Sequence, residues 1–297
     1  MKECVFKGCA TALVTPFTDD NEVDFGTLSQ LIDYQLAEGA DAIVSLGTTG
    51  EASTLTDFER KEILKFTLKK VNGKIPVIAG AGSNNTRRAA ELGKMMEKSG
   101  ADALLHVTPY YNKTNSEGLE RHFAVQAESV KIPIILYNVP SRTGVTLTPE
   151  VCGKLSDYEN IVGIKDAGGD VRKISEYHTL AGKDFSVYSG NDDIILPTLA
   201  CGGMGVISVL SNIVPGDVSK LCRSFFDGDM VAARSLQEKY SRLVSLLFAE
   251  PNPMPVKYAL SLMNMGSEKT RLPLWKISDE NKKLIKEEMV KLNIIKR

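Results

Sequence analysis

The chain has 297 residues, of which 43% are hydrophobic and 25% are charged, so it can bury the core of one large domain. Its formal net charge is −1, because 36 basic side chains nearly balance 37 acidic ones. This balance gives no electrostatic reason to expect a nucleic-acid partner or an anionic membrane surface. No run of residues approaches the roughly 20 apolar positions of a membrane span, so we expect no membrane partner either.

Cysteine and histidine usage argues against two further classes of site. The five cysteines are odd in number and form no C-x-x-C pair, which is typical of reduced thiols in a cytoplasmic protein. The first residues lack the apolar stretch of a secretory signal peptide, so we expect a cytoplasmic location. The histidines His106, His122 and His178 have no metal-binding spacing, and we expect no catalytic metal.

Eight short apolar runs, rich in valine and isoleucine and bounded by glycine or proline, predict eight strands. Their apolarity is continuous rather than alternating, which is expected of parallel strands that are covered on both faces. The predicted strands, in chain order, cover residues 9–17, 42–47, 76–82, 103–109, 133–140, 161–167, 185–190 and 205–209.

The longer segments between these runs are predicted helices. Thr56 and Glu59 form a capping-box pattern ahead of apolar residues at helical spacing, which indicates the start of a helix. Gly39 and Gly100 stand where helices are expected to end. No strand pattern follows the eighth strand, and the predicted helices there cover residues 229–248, 255–265 and 278–292.

Eight strands that alternate with helices favour an α/β fold of the closed (β/α)₈ TIM-barrel type over an open doubly wound sheet. We predict a catalytic barrel over residues 1–228 and a C-terminal helical extension, packed on the barrel, over residues 229–297. The active site of such barrels lies at the C-terminal ends of the strands. That rule selects Thr48, Thr49, Tyr110, Tyr111, Tyr137, Arg142 and Lys165.

Lys165 follows the apolar residues 161–164 and is therefore predicted to lie in a buried strand. A buried lysine is costly unless it is paired or functional, and burial disfavours its ammonium form and lowers its pKa. A neutral amine is the form that Schiff-base chemistry requires. The alternative is a structural ion pair with Asp166, although neighbouring residues of a strand point to opposite faces. Position alone leaves both interpretations open.

The other selected residues each have a structural and a functional interpretation. Residues 47–51 form a turn whose backbone N–H groups can hold a carboxylate or phosphate, although such turns are common in α/β proteins. Tyr110, Tyr111 and Tyr137 are either core aromatics or a hydroxyl relay for protons. Arg142 is either an exposed surface arginine or a planar fork for a substrate carboxylate.

Seven short motifs occur in order at the expected barrel positions, namely residues 15–17, 47–51, 108–112, 137–144, 163–166, 189–190 and 205–209. Through these motifs the chain, from about residue 8 to residue 274, resembles the dihydrodipicolinate synthase / N-acetylneuraminate lyase family of pyruvate-dependent barrel enzymes. Each motif is short, but the seven together are highly specific.

The resemblance implies a role for each residue of the predicted site. Lys165 would form an imine with pyruvate, and no cofactor beyond this lysine would be needed. Thr48 and Tyr137 would belong to a proton relay that Tyr111 completes from a neighbouring subunit. This relay implies a homo-oligomer, in this family usually a homotetramer built as a dimer of dimers. The substrate-binding residues would be Thr49, Arg142, Gly190 and Ile207.

Arg142 indicates the branch of the family. The synthases carry Ser-Arg-Thr-Gly after strand five, where the arginine binds the carboxylate of L-aspartate 4-semialdehyde, and residues 141–144 match this motif. Residues 250–257 also resemble the C-terminal region of the synthases. The resemblance therefore implies condensation of pyruvate with L-aspartate 4-semialdehyde to 4-hydroxy-tetrahydrodipicolinate, a lyase-class step of diaminopimelate and lysine biosynthesis. The alternatives are a keto-sugar acid aldolase and a catalytically silent relative that binds a small molecule.

The resemblance is incomplete at the feedback site where lysine-inhibited members of the family bind lysine. Asn84 and Tyr110 match that site. Arg88, however, takes the place of a glutamate that pairs with the lysine amine, and Arg60 and Asp57 each replace a histidine. A positive charge at Arg88 should repel a cationic effector. We therefore predict weak or absent inhibition by lysine.

Overall fold

Eight parallel strands close into a barrel in which each strand pairs with its neighbours in sequence and β1 pairs with β8. The computed structural model describes Lys2 and residues 4–296. The closed (β/α)₈ barrel predicted from the apolar runs is confirmed. Its strands are β1 Gly8–Ala12, β2 Ala42–Ser45, β3 Val77–Gly80, β4 Ala103–Val107, β5 Ile134–Asn138, β6 Ile161–Asp166, β7 Ser186–Ser189 and β8 Gly205–Ser208.

The strands alternate between two buried layers of side chains. In β1, Cys9 belongs to the larger apolar cluster, which also contains the side chains of the surrounding helices, whereas Ala10 belongs to a separate smaller cluster. The smaller cluster also contains Tyr137 and Ile207 from strands on different sides of the barrel. It is the barrel interior, and it explains why both faces of each strand are apolar.

Nine helices surround or cap the barrel within the described residues, and four more follow β8 and its helix. The first nine are α1 Phe25–Ala37, α2 Asp57–Val71, α3 Thr86–Lys98, α4 Ser116–Ser129, α5 Pro140–Thr143, α6 Pro149–Leu155, α7 Arg172–Ala181, α8 Ile195–Ala200 and α9 Pro215–Phe226. The last four are α10 Met230–Lys239, α11 Ser241–Leu247, α12 Met254–Leu262 and α13 Asp279–Lys291. Short 3₁₀ helices cover Ala52–Thr54, Asp192–Ile194 and Leu210–Asn212. Each helix in the described part of the chain is too short or too polar to cross a lipid bilayer.

The predicted helix signals are confirmed. The Thr56 side chain accepts a hydrogen bond from the backbone of Glu59, and the Glu59 side chain accepts one from the Thr56 backbone in return. Gly39 and Gly100 follow the last residues of α1 and α3, with φ angles of 77° and 99° that glycine adopts without strain.

Two predicted elements differ from the structure by more than three residues or in number. The first strand was predicted to reach residue 17 but ends at Ala12, because the following backbone leaves the barrel: the N–H of Val14 donates to Asn212 Oδ1. The predicted helix over residues 229–248 is two helices, α10 and α11, because Tyr240 leaves the helical conformation and its hydroxyl group hydrogen-bonds Asp217. The division of the chain at residue 228 stays a prediction.

Two buried histidines lie on neighbouring elements, His106 on β4 and His122 on α4, and Gln126 hydrogen-bonds both residues. His106 Nδ1 donates to Oε1 of Gln126, and Gln126 Nε2 donates to the carbonyl oxygen of His122 at 2.8 Å. Burial lowers the pKa of each imidazole to about 4. The folded chain therefore accommodates the neutral form of both side chains.

We expect the free energy of unfolding to fall as the pH is lowered from about 6.5 to about 4. In this window the unfolded chain protonates its histidines while the folded chain keeps His106 neutral, so protons favour the unfolded state. The difference for His106 is about 3 kcal/mol over the whole window. Urea unfolding at a fixed protein concentration measures it. His106→Asn, which retains a donor toward Gln126, should flatten the pH dependence, and parallel curves for the two proteins would contradict the assignment.

Candidate active site

A cavity of about 280 Å³ opens at the C-terminal ends of the strands, where active sites of such barrels lie. Its walls come mainly from the loops that follow β2, β3, β4 and β5. Three predicted site residues, Thr48, Tyr137 and Arg142, line it directly, as does Tyr110.

Lys165 lies near the C-terminal end of β6, where it is in register with Tyr137 of β5 and Tyr188 of β7. Its side chain is 5% exposed, and its Nζ atom lies 4.5 Å from the centre of the Tyr137 ring. Tyr137 thus stands between the lysine and the cavity that it lines. This places a buried amine against the ring of a phenol, so the two groups that the predicted chemistry needs lie in the same part of the barrel.

The ion pair between Lys165 and Asp166, the structural alternative, does not form. The Asp166 side chain instead accepts hydrogen bonds from Asn138 Nδ2 at 2.7 Å and from the N–H of Gly168 at 3.0 Å. Among the residues that the structure describes, no carboxylate oxygen lies within 4.0 Å of the Lys165 amine. Lys165 is therefore a buried lysine without a salt bridge, and the buried Asp192 interacts with it only at longer range, which favours the functional interpretation.

The loop after β2 presents Thr48 to the cavity and turns Thr49 inward. Thr49 is 3% exposed, and its Oγ1 accepts a hydrogen bond from Asn252 Nδ2 at 2.9 Å. The carbonyl oxygen of Asn252 accepts a second hydrogen bond, from the Arg142 guanidinium group at 3.2 Å. One buried residue beyond the barrel thus contacts both side chains that are predicted to bind carboxylates.

A buried ion pair holds the same loop. Glu51 and Lys257 are each 1% exposed and form a salt bridge, and Glu51 Oε2 also accepts from the N–H of Arg271 at 3.0 Å. The Lys257 amine donates to the carbonyl oxygen of Lys269 at 2.8 Å and lies 4.3 Å from the centre of the Phe17 ring. Burial lowers the pKa of Lys257 to about 8, so the ammonium form predominates at pH 7.

Gly190 and Ile207 are two further predicted substrate-binding residues, of which Ile207 lies inside the barrel and Gly190 lies partly exposed just after the end of β7. Ile207 of β8 is fully buried in the interior cluster with Tyr137. Gly190 donates its N–H to the carbonyl oxygen of Asp166 at 2.7 Å, and a Cβ atom there would lie 2.7 Å from the Ala167 side chain. The close approach of these two loops therefore requires glycine.

Tyr111 is the predicted residue that the structure does not bring to the others. Its side chain is 94% exposed, and its backbone is left-handed with φ of 70°. The neighbouring Tyr110 lines the cavity, and its carbonyl oxygen accepts from Asn84 Nδ2 at 3.2 Å. Within one copy of the chain the predicted relay is therefore limited to Thr48 and Tyr137. A role for Tyr111 in a second copy stays a prediction.

A profile of the dihydrodipicolinate synthetase family matches residues 5–292. The chain belongs to this family. A relative from Acetivibrio thermocellus, named 4-hydroxy-tetrahydrodipicolinate synthase, is 46% identical over 295 residues, which are 99% of this chain and 100% of that protein. The resemblance read from the seven motifs is thus confirmed over nearly the whole chain.

Solved structures of the family have the same fold. A dihydrodipicolinate synthase from Thermotoga maritima is 42% identical, has a TM-score of 0.96 and covers 98% of this chain and 100% of its own. A dihydrodipicolinate synthase from Acinetobacter baumannii, solved in complex with pyruvate, is 41% identical with a TM-score of 0.95, over 97% of this chain and 99% of its own.

The residues matched to the family's lysine site form a charged cluster beside the cavity. Arg88 of α3 forms a salt bridge with Asp57 of α2. Arg60 lines the cavity, and one of its amino groups donates to the carbonyl oxygen of Ala52 at 2.5 Å. Burial lowers the pKa of Arg60, opposed by Asp57 and assisted by Arg88. Asn84 is held separately by Tyr110.

The roles of Asn252 and Lys257 were not predicted from the sequence. Both lie in the segment of residues 250–257, which resembled family members but carried no chemical assignment. The available signals were an asparagine between two prolines and a lysine in an otherwise apolar stretch. Their partners, Thr49 and Glu51, are about 200 residues away, which sequence spacing does not indicate.

Proposed function

We propose that the chain condenses pyruvate with L-aspartate 4-semialdehyde to form 4-hydroxy-tetrahydrodipicolinate, the product after which its relatives are named. The observation that carries the proposal is the buried Lys165 amine, which has no carboxylate within salt-bridge distance and lies against Tyr137, a residue that lines the same cavity as Arg142. An amine in this position suits imine formation, and a guanidinium in the wall suits a second substrate with a carboxylate.

The proposed reaction begins when the neutral Lys165 amine attacks the ketone of pyruvate. Loss of water from the carbinolamine gives an imine, and loss of a methyl proton gives an enamine. Tyr137 and Thr48 are proposed to carry protons for these steps, which is supported by the position of both residues in the lining of one cavity and by the contact of Tyr137 with the Lys165 amine. The enamine carbon then attacks the aldehyde. The amino group of the semialdehyde finally displaces Lys165 and closes the ring.

The carboxylate of pyruvate is proposed to lie against Thr49 and the backbone of its loop. Ile207 is proposed to form an apolar wall of this pocket, and Gly190 to allow the close approach of the loop after β7. The second carboxylate is proposed to bind Arg142. Asn252 supports both assignments, because it hydrogen-bonds the Thr49 hydroxyl and its carbonyl oxygen accepts from Arg142. A side chain that is already oriented loses less entropy when its ligand binds.

We propose that the active assembly contains at least two copies of the chain and, as in the family generally, four. Tyr111 supports this assignment. Its side chain is 94% exposed on a strained left-handed backbone, which is unfavourable for a tyrosine that serves only its own chain. A partner that buries this side chain would deliver its hydroxyl group to the relay of the neighbouring copy.

A substrate comparison tests the proposed activity. The protein is expected to turn over pyruvate with L-aspartate 4-semialdehyde and to show no cleavage of N-acetylneuraminate. Preferential cleavage of the sugar acid would identify the aldolase alternative. Absence of both reactions, with binding of pyruvate retained, would identify the silent alternative.

Arg142→Ala is expected to lower kcat/KM for L-aspartate 4-semialdehyde by about 10²-fold, because a charge-assisted hydrogen bond to the substrate carboxylate is lost. Steady-state kinetics with each substrate varied in turn measures the effect. The matched control is Arg142→Lys, which keeps the charge but not the planar fork and should lose less. An equal loss for pyruvate and for the semialdehyde would place Arg142 elsewhere in the mechanism.

L-Lysine is expected to inhibit the enzyme weakly or not at all. The Arg88–Asp57 salt bridge occupies the only carboxylate of the cluster, and two guanidinium groups face an incoming ammonium group. The measurement is a steady-state assay over a lysine series. Half-maximal inhibition below about 1 mM would show that the cluster still accepts a cation.

A further inference from the structure

The cavity contains a second guanidinium group in addition to Arg142. Arg60, near the start of α2, lines the same cavity, and its side chain is partly buried. One of its amino groups donates to the carbonyl oxygen of Ala52, whereas its Nε atom is shielded from solvent and has no hydrogen-bond partner among the described residues. The guanidinium group therefore has one buried donor without a partner in a concave site.

The charges around Arg60 do not balance. Asp57 is the nearest carboxylate, but it is engaged in the salt bridge with Arg88. The other carboxylate of this helix end, Glu59, forms a salt bridge with Arg271 at 2.5 Å. In the described part of the chain, Arg60 itself has no carboxylate oxygen within 4.0 Å. The cluster of Arg60, Arg88 and Asp57 thus keeps one net positive charge at the cavity wall.

Neutral donors surround this charge. Ser53 and Tyr110 line the same cavity as Arg60, both are exposed to solvent, and within residues 4–296 neither hydroxyl group hydrogen-bonds the protein. A planar anion held by a guanidinium fork and two hydroxyl groups would satisfy all three. An uncompensated cation, free donors and a concave wall are the usual components of a small-anion site.

We propose that the Arg60 wall of the cavity is a second anion site, which binds a small organic carboxylate independently of Arg142. Such a ligand has the opposite charge from the lysine that the corresponding site of some family members accepts. This inference does not depend on the proposed reaction, because it concerns only binding at Arg60.

Malonate is a suitable probe, because it carries two carboxylates but no ketone and so cannot form an imine with Lys165. Isothermal titration calorimetry at constant ionic strength compares the full-length protein with Arg142→Gln, Arg60→Gln and the double variant. Arg142→Gln is expected to retain a malonate site. Adding Arg60→Gln to it should weaken that site at least about tenfold.

The matched control is Arg87→Gln, which removes the same charge from an exposed position on α3 and should leave malonate binding unchanged. If Arg60→Gln fails to fold, as judged from its melting transition without malonate, Arg60→Lys replaces it. That variant keeps a donor for Ala52 but loses the fork, and several-fold weaker binding is expected.

Three results would overturn the proposal. The first is complete loss of malonate binding in Arg142→Gln alone, and the second is unchanged binding after Arg60 is replaced in that background. The third is the absence of any binding heat in the wild-type protein up to about 50 mM malonate.

Discussion

Lys165→Ala is expected to lower the rate of condensation by at least about 10⁴-fold, as when the covalent nucleophile of another enzyme is removed. The reason is that the imine accepts the electron pair left when the methyl group of pyruvate loses its proton. Neither water nor Tyr137 nor Thr48 can accept that electron pair. In the wild-type protein, borohydride reduction with pyruvate should add the mass of one reduced pyruvate to each chain. Mass spectrometry of the intact protein and of its peptides should locate that mass on Lys165.

Lys183→Ala is the matched control, because Lys183 is an exposed lysine in the loop between α7 and β7. It should retain both activity and adduct formation. An adduct of equal yield in Lys165→Ala would assign the imine to another amine. The buried Lys257, whose pKa burial lowers to about 8, would be the first to test.

Lys257→Met is expected to lower the free energy of unfolding by about 3–5 kcal/mol at pH 7. The substitution leaves the Glu51 carboxylate buried, with the N–H of Arg271 as its remaining hydrogen-bond donor among the described residues. A buried charge without a counter-charge is among the most destabilising local defects in a folded protein. Urea unfolding at a fixed protein concentration measures the loss.

Two variants separate this effect from the loss of a lysine as such. Lys239→Met removes an ion pair of ordinary length, 2.8 Å to Asp217, whose side chains are 42% and 32% exposed, and should cost less than about 1 kcal/mol. Adding Glu51→Gln to Lys257→Met removes the isolated charge and should recover part of the stability. The single variant Glu51→Gln completes the comparison. If the loss of unfolding free energy in the double variant equals the sum of the losses in Lys257→Met and Glu51→Gln, the two residues act independently.

The barrel could be predicted from the sequence because its signals are local. Each strand is a continuous apolar run between glycines and prolines, and each lies where its run predicted it. The errors occur where a contact with a residue distant in sequence determines the end of a helix or strand. Tyr240 interrupts a predicted helix because Asp217 of another helix accepts its hydroxyl group, and β1 ends early because Asn212 binds the chain beyond it.

The candidate site followed the same pattern. The rule that barrel enzymes act at the C-terminal ends of their strands selected Lys165, Thr48, Tyr137 and Arg142 without any tertiary information. The hydrogen bond between His106 and Gln126, which required the packing of α4 on β4, could not be predicted. Nor could the contacts of Asn252, since they join residues separated by most of the barrel.

The late position of Asn252 has a consequence for how the protein is made. Ribosomes synthesise a chain from its N-terminus to its C-terminus, and the N-terminal parts generally fold first. The last barrel strand ends at Ser208, so all eight strands can pair 44 residues before Asn252 is synthesised. A nascent chain with a closed barrel still lacks the hydrogen bonds to Thr49 and Arg142, and the ion pair to Glu51. A translation product that stops before residue 252 therefore lacks all three contacts, which in the complete chain join the loops that carry Thr49, Glu51 and Arg142 to the segment that follows the barrel.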